Sequence, residues 1–230
     1  MAVCELVLFD CDGTIMDSEL IAAECEVEAL SEYGVKLTAK EFSARFAGTS
    51  SHVVKEAMEA ELGRNLPDDH IDKVKAKMRE KLWREVKPMP GVHELLDQLD
   101  QARCVCSNAD MEKLKIELTR GELWDRFRPY VYSAYEIESK KRKPEPDLFL
   151  HAAAEFDVAP ENCVVIEDSI AGVLAGKAAG MRVIGFTGGS HTHPGHADEL
   201  TDAGAETVVR RLGDIPAIIA AFADWEGILA

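Results

Sequence analysis

Four carboxylates lie within ten positions near the start of the chain, at Asp10, Asp12, Asp17 and Glu19. They follow a short apolar run, Leu6–Phe9, of the kind that predicts a buried strand. Like charges at this spacing repel one another, and no Lys or Arg lies among them to offset the repulsion. A divalent cation would offset it, because Mg²⁺ prefers oxygen ligands and often binds carboxylates together with water and a substrate phosphate. The segment therefore points to metal-assisted phosphoryl transfer.

Two of these acids suit distinct roles in that chemistry. A carboxylate and a phosphate monoester repel, so a nucleophilic Asp needs a cation between them. Asp10, directly after the predicted strand, suits attack on phosphorus and metal ligation together. Asp12 lies two residues further on, from where its side chain can reach the leaving oxygen as the general acid and base.

Polar residues at the ends of other predicted strands extend this hypothesis. Ser107 offers a hydroxyl group to a phosphoryl oxygen, and Lys143 offers a positive charge. Asp168 offers a further metal ligand, with Glu167 beside it. Each has an ordinary alternative, because Asp and Ser are common turn and N-cap residues and a Lys in the run KKRK is typical of an exposed face. Their order along the chain, each near a strand end, favours the catalytic interpretation.

Alternating strand and helix patterns position these residues. Short apolar runs that end in polar residues predict strands at Leu6–Phe9, 104–106, 130–132, 164–166 and 183–186. Helical patterns separate them, so we expect an α/β fold with a mostly parallel, Rossmann-like sheet covered on both faces. Ligands of such sheets bind at the carboxyl ends of the strands, where the candidate residues fall.

One long segment interrupts the alternation. Residues 18–86 show only helical periodicity, with a first helix that Ser18 is expected to cap and that ends near Gly34. Further helices are predicted at 39–46, 51–62 and 69–86. We therefore expect a catalytic core of residues 1–17 and 87–230, with residues 18–86 inserted as a helical cap domain over the strand ends.

Composition narrows the class of protein. The chain has 230 residues, 47% of them hydrophobic, and a net charge of −16, which disfavours nucleic acid and anionic membranes as partners. The six cysteines show no CxxC spacing and are expected to be buried, reduced thiols. With no apolar stretch near the ~20 residues of a membrane span and no signal-peptide pattern at the N-terminus, a cytoplasmic protein is expected. The sequence does not address protein partners.

The motifs together resemble those of the haloacid dehalogenase superfamily. The matching segments are Asp10-Cys-Asp12-Gly13-Thr14 for its DxDGT motif, Ser107-Asn108 for its second motif, Lys143-Pro144 for its third and Glu167-Asp168-Ser169 for its acidic fourth. The similarity extends over nearly the whole chain. It is strongest to the β-phosphoglucomutase-like branch of sugar-phosphate phosphatases and mutases.

The resemblance implies a flavodoxin-like core, a mobile helical cap and an aspartyl-phosphate intermediate. It also implies Mg²⁺ held by the Asp10 side chain, the Asp12 backbone carbonyl and Asp168, with Glu167 in or next to that shell. Asn108 joins Ser107 and Lys143 as a phosphate-binding residue. Because the cap faces the leaving group in such enzymes, candidate specificity residues are Glu19, Arg45, Thr49, Ser50 and His52.

Within the family, single positions separate the possible reactions. Asp12 disfavours a dehalogenase, in which no leaving group needs a proton, and a phosphonatase, whose motif resembles DxAGT. The mutases carry a histidine and cations at positions where this chain has Ala22, Ala47 and Ser51. We therefore expect a Mg²⁺-dependent phosphatase for a small phosphorylated metabolite, a sugar or polyol phosphate. A sugar-phosphate mutase is the alternative, and a non-enzymatic phosphoacceptor receiver is a distant one.

A histidine-rich segment lies outside these motifs. It contains His191, His193 and His196 among Gly and Pro residues. Three histidines in six residues have the chemistry of a metal site, but the Gly and Pro content favours a flexible surface loop near the rim of the active site.

Overall fold

One parallel sheet of six strands forms the centre of the protein. The computed structural model describes residues 4–46, 49 and 51–225. The strands are β1 (Leu6–Phe9), β2 (Ala102–Ser107), β3 (Val131–Ser133), β4 (Cys163–Glu167), β5 (Arg182–Phe186) and β6 (Thr207–Val209). Their order in the sheet is β3-β2-β1-β4-β5-β6, which confirms the predicted Rossmann-like core.

The direction of winding changes on either side of β1. This strand pairs with β2 on one side and with β4 on the other, so Phe9 lies beside both Val105 and Ile166. Ligand sites in open parallel sheets form where the order reverses in this way, at the carboxyl ends of the strands. The segments that follow β1, β2 and β4 therefore meet at one place.

Helices cover both faces of the sheet. They are α5 (Val92–Gln98), α6 (Met111–Arg120), α7 (Trp124–Phe127), α8 (Asp147–Glu155), α9 (Ile170–Ala178), α10 (His196–Ala203) and α11 (Ile215–Trp225). Alternate residues of β1 enter two different apolar clusters: Val7 and Phe9 enter one, Leu6 and Leu8 the other. All four side chains are fully buried, as expected for a central strand of a doubly covered sheet.

Four helices occupy the long connection between β1 and β2. They are α1 (Glu19–Ser31), α2 (Ala39–Phe46), α3 (Ser51–Leu62) and α4 (His70–Glu85), and their bounds lie close to the predicted ones. Leu30, Phe42 and Met58 belong to an apolar cluster separate from the two clusters of the sheet. The two ends of the connection lie side by side, because the Asp17 N–H donates to the Lys87 carbonyl at 3.0 Å.

The strands differ from the sequence prediction mainly at their ends. Strand β2 begins two residues earlier than expected and β3 one residue later, and β6, a short edge strand that pairs with β5, was not predicted. The six cysteines are free thiols, five of them buried, as expected. No helix in the described part of the chain is long and apolar enough to cross a membrane.

Candidate active site

Lys143 connects the ends of three strands. Its Nζ lies 2.6 Å from Asp10 Oδ1, 2.7 Å from Glu167 Oε1 and 2.7 Å from the carbonyl oxygen of Cys106. The lysine is 6% exposed, whereas Lys140 and Lys141 of the same run are exposed. The exposed-face interpretation is therefore wrong for Lys143, although it holds for Lys140 and Lys141.

Asn108 holds the segment that carries Lys143. The Lys143 N–H donates to Asn108 Oδ1 at 2.9 Å, and Asn108 Nδ2 donates back to the Lys143 carbonyl at 3.1 Å. This reciprocal pair fixes the loop between β3 and α8 against the end of β2. The structure thus shows Asn108 orienting Lys143, a contact that the sequence did not predict.

Three buried carboxylates form a cluster beside Lys143. Oxygen atoms of Asp10, Glu167 and Asp168 lie within 4.8 Å of one another. Burial raises the pKa of Asp10 well above its ordinary value, Lys143 offsets part of this shift, and the other two carboxylates add to it. The ammonium group of Lys143 contacts two of these acids, and every potential metal-ligand atom of the cluster is a carboxylate oxygen. These residues fit a hard divalent cation such as Mg²⁺.

Both acids of the fourth motif are held by neighbouring groups. Glu167 Oε2 accepts hydrogen bonds from the Ser169 N–H and hydroxyl, each at 2.9 Å, while its Oε1 binds Lys143. Asp168 Oδ1 accepts from the Thr14 hydroxyl at 3.0 Å. The segment after β1 therefore contacts the segment after β4 directly.

Asp12 is bound by partners other than those of Asp10. Its Oδ1 accepts from Ser18 Oγ at 2.6 Å and from Lys113 Nζ at 2.5 Å, and its Oδ2 lies 3.5 Å from Ser107 Oγ. Burial pushes the pKa of Asp12 upward, but Lys113 and the hydrogen bonds outweigh burial and leave it below its ordinary value. Ser18 occupies the N-cap position of α1 as predicted, but its hydroxyl binds Asp12 and makes no cap hydrogen bond to the helix.

Lys113 and Glu117 are site residues that the sequence analysis missed. Asp110 caps α6 by accepting the Lys113 N–H at 2.9 Å, which places Lys113 in the first turn, toward Asp12. Glu117, one turn further, is fully buried, and its Oε1 lies 3.7 Å from Lys113 Nζ. Burial and the charge of Asp12 raise the pKa of Glu117 well above its ordinary value. The available signal was the i, i+4 spacing of this pair on a helix that follows Ser107.

A cavity of about 550 Å³ lies between the strand ends and the inserted helices. Its core side includes Asp10, Asp12, Ser107, Asn108, Lys143 and Asp168. The inserted segment contributes four of the predicted specificity residues, namely Glu19, Arg45, Thr49 and His52. The fifth, Ser50, lies outside the described residues.

Two cations of the inserted segment that line the cavity have carboxylate partners. Arg45 forms an ion pair with Glu61, and Arg79 pairs with Asp110 at 3.3 Å. Burial, followed by the charge of Asp12, raises the pKa of Glu19 to about 7. Of the three positions at which mutases carry a histidine or cations, Ala22 and Ser51 line the cavity without charge, and Ala47 lies outside the described residues.

The histidine-rich segment lies at the rim of the cavity as predicted and has exposed residues, but two of its histidines are buried. His191 and His196 are each 6% exposed. His191 Nε2 lies 3.0 Å from Asp168 Oδ2, and His196 Nε2 lies 2.7 Å from the Asp168 carbonyl oxygen. Burial opposes the charge of His191, but its hydrogen bond to Asp168 and the nearby acids raise its pKa to about 9. The sequence did not indicate this contact, because Gly and Pro residues suggested only a flexible loop.

Comparison with known proteins places the chain among enzymes. The profile of the haloacid dehalogenase-like hydrolases matches residues 7–186. The 6-phosphogluconate phosphatase of Escherichia coli (strain K12) is 32% identical over 195 residues, which cover 84% of this chain and 87% of that protein. A phosphorylated carbohydrates phosphatase of Thermotoga maritima is 29% identical over 215 residues, covering 90% of this chain and 94% of that protein.

A solved structure shows the same fold. It is a conserved haloacid dehalogenase-like protein of unknown function from Agrobacterium tumefaciens, 46% identical to this chain with a TM-score of 0.89. The match covers 95% of this chain and 99% of that protein. The whole arrangement of sheet and inserted helices therefore has a close structural counterpart.

Proposed function

Because the chain belongs to the haloacid dehalogenase-like hydrolases, we propose that it hydrolyses a small phosphorylated metabolite through an aspartyl phosphate on Asp10. Its class is phosphoric monoester hydrolase, that of the phosphatases it resembles. The observation that carries the proposal is the buried Lys143 ammonium group between Asp10 and Glu167 at the edge of the cavity. Such a group lowers the cost of bringing a phosphate dianion to a carboxylate.

The acidic cluster fits Mg²⁺. The Asp10 side chain, the Asp12 main-chain carbonyl and Asp168 would hold the ion, with Glu167 beside them. When bound, it would supply the positive charge that lets an anionic phosphate approach Asp10. The support comes from the close spacing of three buried carboxylates and from the single ammonium group among them.

Asp10 forms the covalent intermediate in this proposal. Lys143 binds Asp10 Oδ1 and so restricts the orientation of the carboxylate. A carboxylate oxygen attacks phosphorus, the bond from phosphorus to the leaving oxygen breaks, and Asp12 gives that oxygen a proton. Ser107, Asn108 and Lys143 contribute donors or charge to the transferring phosphoryl group, and Asn108 additionally orients Lys143.

In the second step Asp12 acts as the general base and accepts a proton. A water molecule attacks the phosphorus of the aspartyl phosphate, Asp12 takes its proton, and the bond between phosphorus and Asp10 breaks to release phosphate. Ser18 and Lys113 hold Asp12 Oδ1 throughout the cycle, which keeps the side chain aimed at one point of the cavity. Lys113 also favours the ionised form of Asp12 that the second step needs, and it works against the protonated form that the first step needs.

The helices between β1 and β2 serve as a cap in this proposal. Residues 18–86 form the cap domain, and residues 1–17 and 87–230 form the core. Support comes from their separate apolar cluster, from the adjacent ends of the connection at Asp17 and Lys87, and from a cavity that both parts line. The specificity residues proposed on the cap are Glu19, Arg45, Thr49 and His52.

We favour hydrolysis over a mutase reaction, in which a phosphoryl group moves between two positions of a sugar. A mutase must grip a bisphosphate from the cap side as well as from the core. Ala22 and Ser51 provide no charge there, and the charge of Arg45 is already paired with Glu61. Lys75 lines the cavity as well, but at none of the positions where the mutases carry these groups. The substrate class proposed is a sugar or polyol phosphate, in line with relatives named for 6-phosphogluconate and phosphorylated carbohydrates. With a net charge of −16 and free thiols, we expect a cytoplasmic enzyme without nucleic-acid or membrane partners.

The test is phosphate release from a panel of phosphorylated sugars, sugar acids and polyols, with and without Mg²⁺, with Asp10→Asn as the negative control. We expect Mg²⁺-dependent turnover of at least one member by the wild type alone. A separate reaction with β-glucose 1-phosphate and a trace of glucose 1,6-bisphosphate distinguishes the alternative. Formation of glucose 6-phosphate faster than free phosphate would identify a mutase.

A further inference from the structure

Asp168 accepts more hydrogen bonds from neighbouring side chains than its proposed role as a metal ligand requires. Its Oδ1 accepts from the Thr14 hydroxyl, and its Oδ2 lies 3.0 Å from His191 Nε2. Its main-chain carbonyl lies 2.7 Å from His196 Nε2. Since carboxylate and carbonyl oxygens only accept hydrogen bonds, both imidazoles must carry a proton on Nε2 and donate it. Two histidines of one short segment thus fix the side chain and the backbone of a single acid.

The chain around His191 has the space that its ring needs. A Cβ atom on Gly189 would lie 2.7 Å from His191 Nδ1, closer than real Cβ contacts. A Cβ atom on Gly13 would lie 2.8 Å from His191 Cε1 and 2.0 Å from Asp168 Oδ2. The ring therefore enters a slot that two glycines keep open, one in its own segment and one in the DxDGT motif.

The segment is also anchored at a third point. Asp17 Oδ1 accepts hydrogen bonds from the Ser190 N–H at 3.0 Å and from the Ser190 hydroxyl at 2.7 Å. Asp17 is one of the four acids near the start of the chain, yet it is absent from the buried carboxylate cluster. Its contact lies immediately before His191 in the chain, which limits how far the ring can move from Asp168.

We propose that residues 188–196, the histidine strap, position Asp168 for metal binding, with His191 and His196 as positioning residues and Asp17 as the anchor. The proposal rests on the assignment of Asp168 as a Mg²⁺ ligand. A carboxylate ligand that also accepts hydrogen bonds is already oriented, so it loses less freedom when it binds an ion. Removing the hydrogen-bond donor therefore weakens metal binding. His191 and His196 act as donors to a ligand and not as ligands themselves, since the potential metal-binding group found among the described residues is Asp10, Glu167 and Asp168.

The test measures Mg²⁺ affinity without substrate, by titration calorimetry on the full chain. His191→Leu removes the donor, whereas His191→Gln keeps an N–H at about the position of Nε2. His93→Leu, on α5 and away from the cavity lining, is the matched control. We expect His191→Leu to raise the Mg²⁺ dissociation constant on the order of 10- to 100-fold. His191→Gln should keep most of the affinity, and His93→Leu all of it.

Two further variants keep the test decisive if His191→Leu unfolds. Ser190→Ala removes the hydroxyl contact to Asp17 at an exposed position, and Gly189→Ala places a methyl group against the His191 ring. Both should weaken Mg²⁺ binding at an unchanged circular dichroism spectrum. Unchanged or tighter Mg²⁺ binding in the folded strap variants would overturn the proposal, as would an equal loss in His191→Gln and His191→Leu. Asp168→Asn tests the metal site separately from the histidine strap. If this variant leaves the Mg²⁺ affinity unchanged, the metal site itself is wrongly assigned.

Discussion

Lys143 Nζ lies 2.6 Å from Asp10 Oδ1, although 133 residues separate the two in the chain. The same ammonium group binds Glu167, so one buried cation serves carboxylates from the ends of two adjacent strands, β1 and β4. An ion pair of this kind is costly to break from one side, because the remaining charges stay buried without a partner.

Replacing Lys143 should therefore affect both activity and stability. We expect Lys143→Met to lower kcat/KM by a similar factor for every substrate, since the lost charge acts on the phosphoryl group that all substrates share. The melting temperature should also fall, because removing one partner of a buried ion pair typically costs about 3–5 kcal/mol. Lys140→Met, in the same basic run but exposed, is the control and should change neither. A change in substrate preference at an unaltered overall rate would contradict this role.

Asp12 should show a different dependence on the leaving group. Proton transfer by a positioned acid contributes roughly 10²- to 10⁴-fold. Asp12→Asn should lose activity in that range toward alkyl phosphates and much less toward p-nitrophenyl phosphate, whose leaving group needs no proton. Steady-state kinetics on a matched pair of substrates measure the difference. Equal losses for both substrates would argue against Asp12 as the acid.

Much of this site follows from sequence because apolar runs reveal where strands end. Asp10, Ser107 and Glu167 lie at or directly after β1, β2 and β4, and strands that are adjacent and parallel bring such residues together. Lys143 is harder to place, because it lies in the loop between β3 and α8 and not at a strand end, so its prediction rested on its charge and on the motif resemblance.

The site residues that were not predicted from the sequence owe their positions to tertiary contacts. Lys113 belongs to an amphipathic helix, where a lysine normally faces solvent, and its contact with Asp12 arises only once α6 packs beside β1. Ser18 has the pattern of a helix cap, but a carboxylate within reach competes for its hydroxyl. His191 is placed by two glycines that are far apart in the chain, Gly13 and Gly189. Propensity and periodicity carry no information on such contacts.

Lys113 should control the pH dependence of the second half of the reaction. The lysine and its hydrogen bond lower the pKa of Asp12, and release of phosphate from Asp10 needs Asp12 without its proton. Lys113→Met should raise the pKa of Asp12. As the solution is acidified, the variant should therefore lose activity at a higher pH than the wild type does. The pH profile of p-nitrophenyl phosphate turnover measures this acidic limb. Lys115→Met, exposed on the same helix, should leave the profile in place, and an unshifted limb in Lys113→Met would refute the assignment.

Asp10→Asn should stabilise the metal-free protein, because Lys143 keeps its ion pair with Glu167 and is not left without a partner. The folded state raises the pKa of Asp10, which means that ionising this carboxylate is less favourable in the folded protein than in the unfolded chain. At neutral pH Asp10 therefore lowers the free energy of unfolding. Removing that charge should raise the melting temperature in the presence of a chelator. The difference from wild type should shrink as the pH falls and Asp10 becomes protonated in both states. A lower melting temperature for Asp10→Asn across this range would mean that its ion pair with Lys143 outweighs the repulsion.

The most direct test of the whole account is a rapid acid quench of the enzyme during turnover, followed by mass spectrometry of its peptides. With p-nitrophenyl phosphate and Mg²⁺, we predict a phosphoryl group that hydroxylamine removes, located on Asp10 and not on Asp12, and absent from Asp10→Asn. It should appear before steady state is reached and decay once substrate is exhausted. Turnover without a phosphoryl group on Asp10, or with one on another residue, would contradict the proposed mechanism.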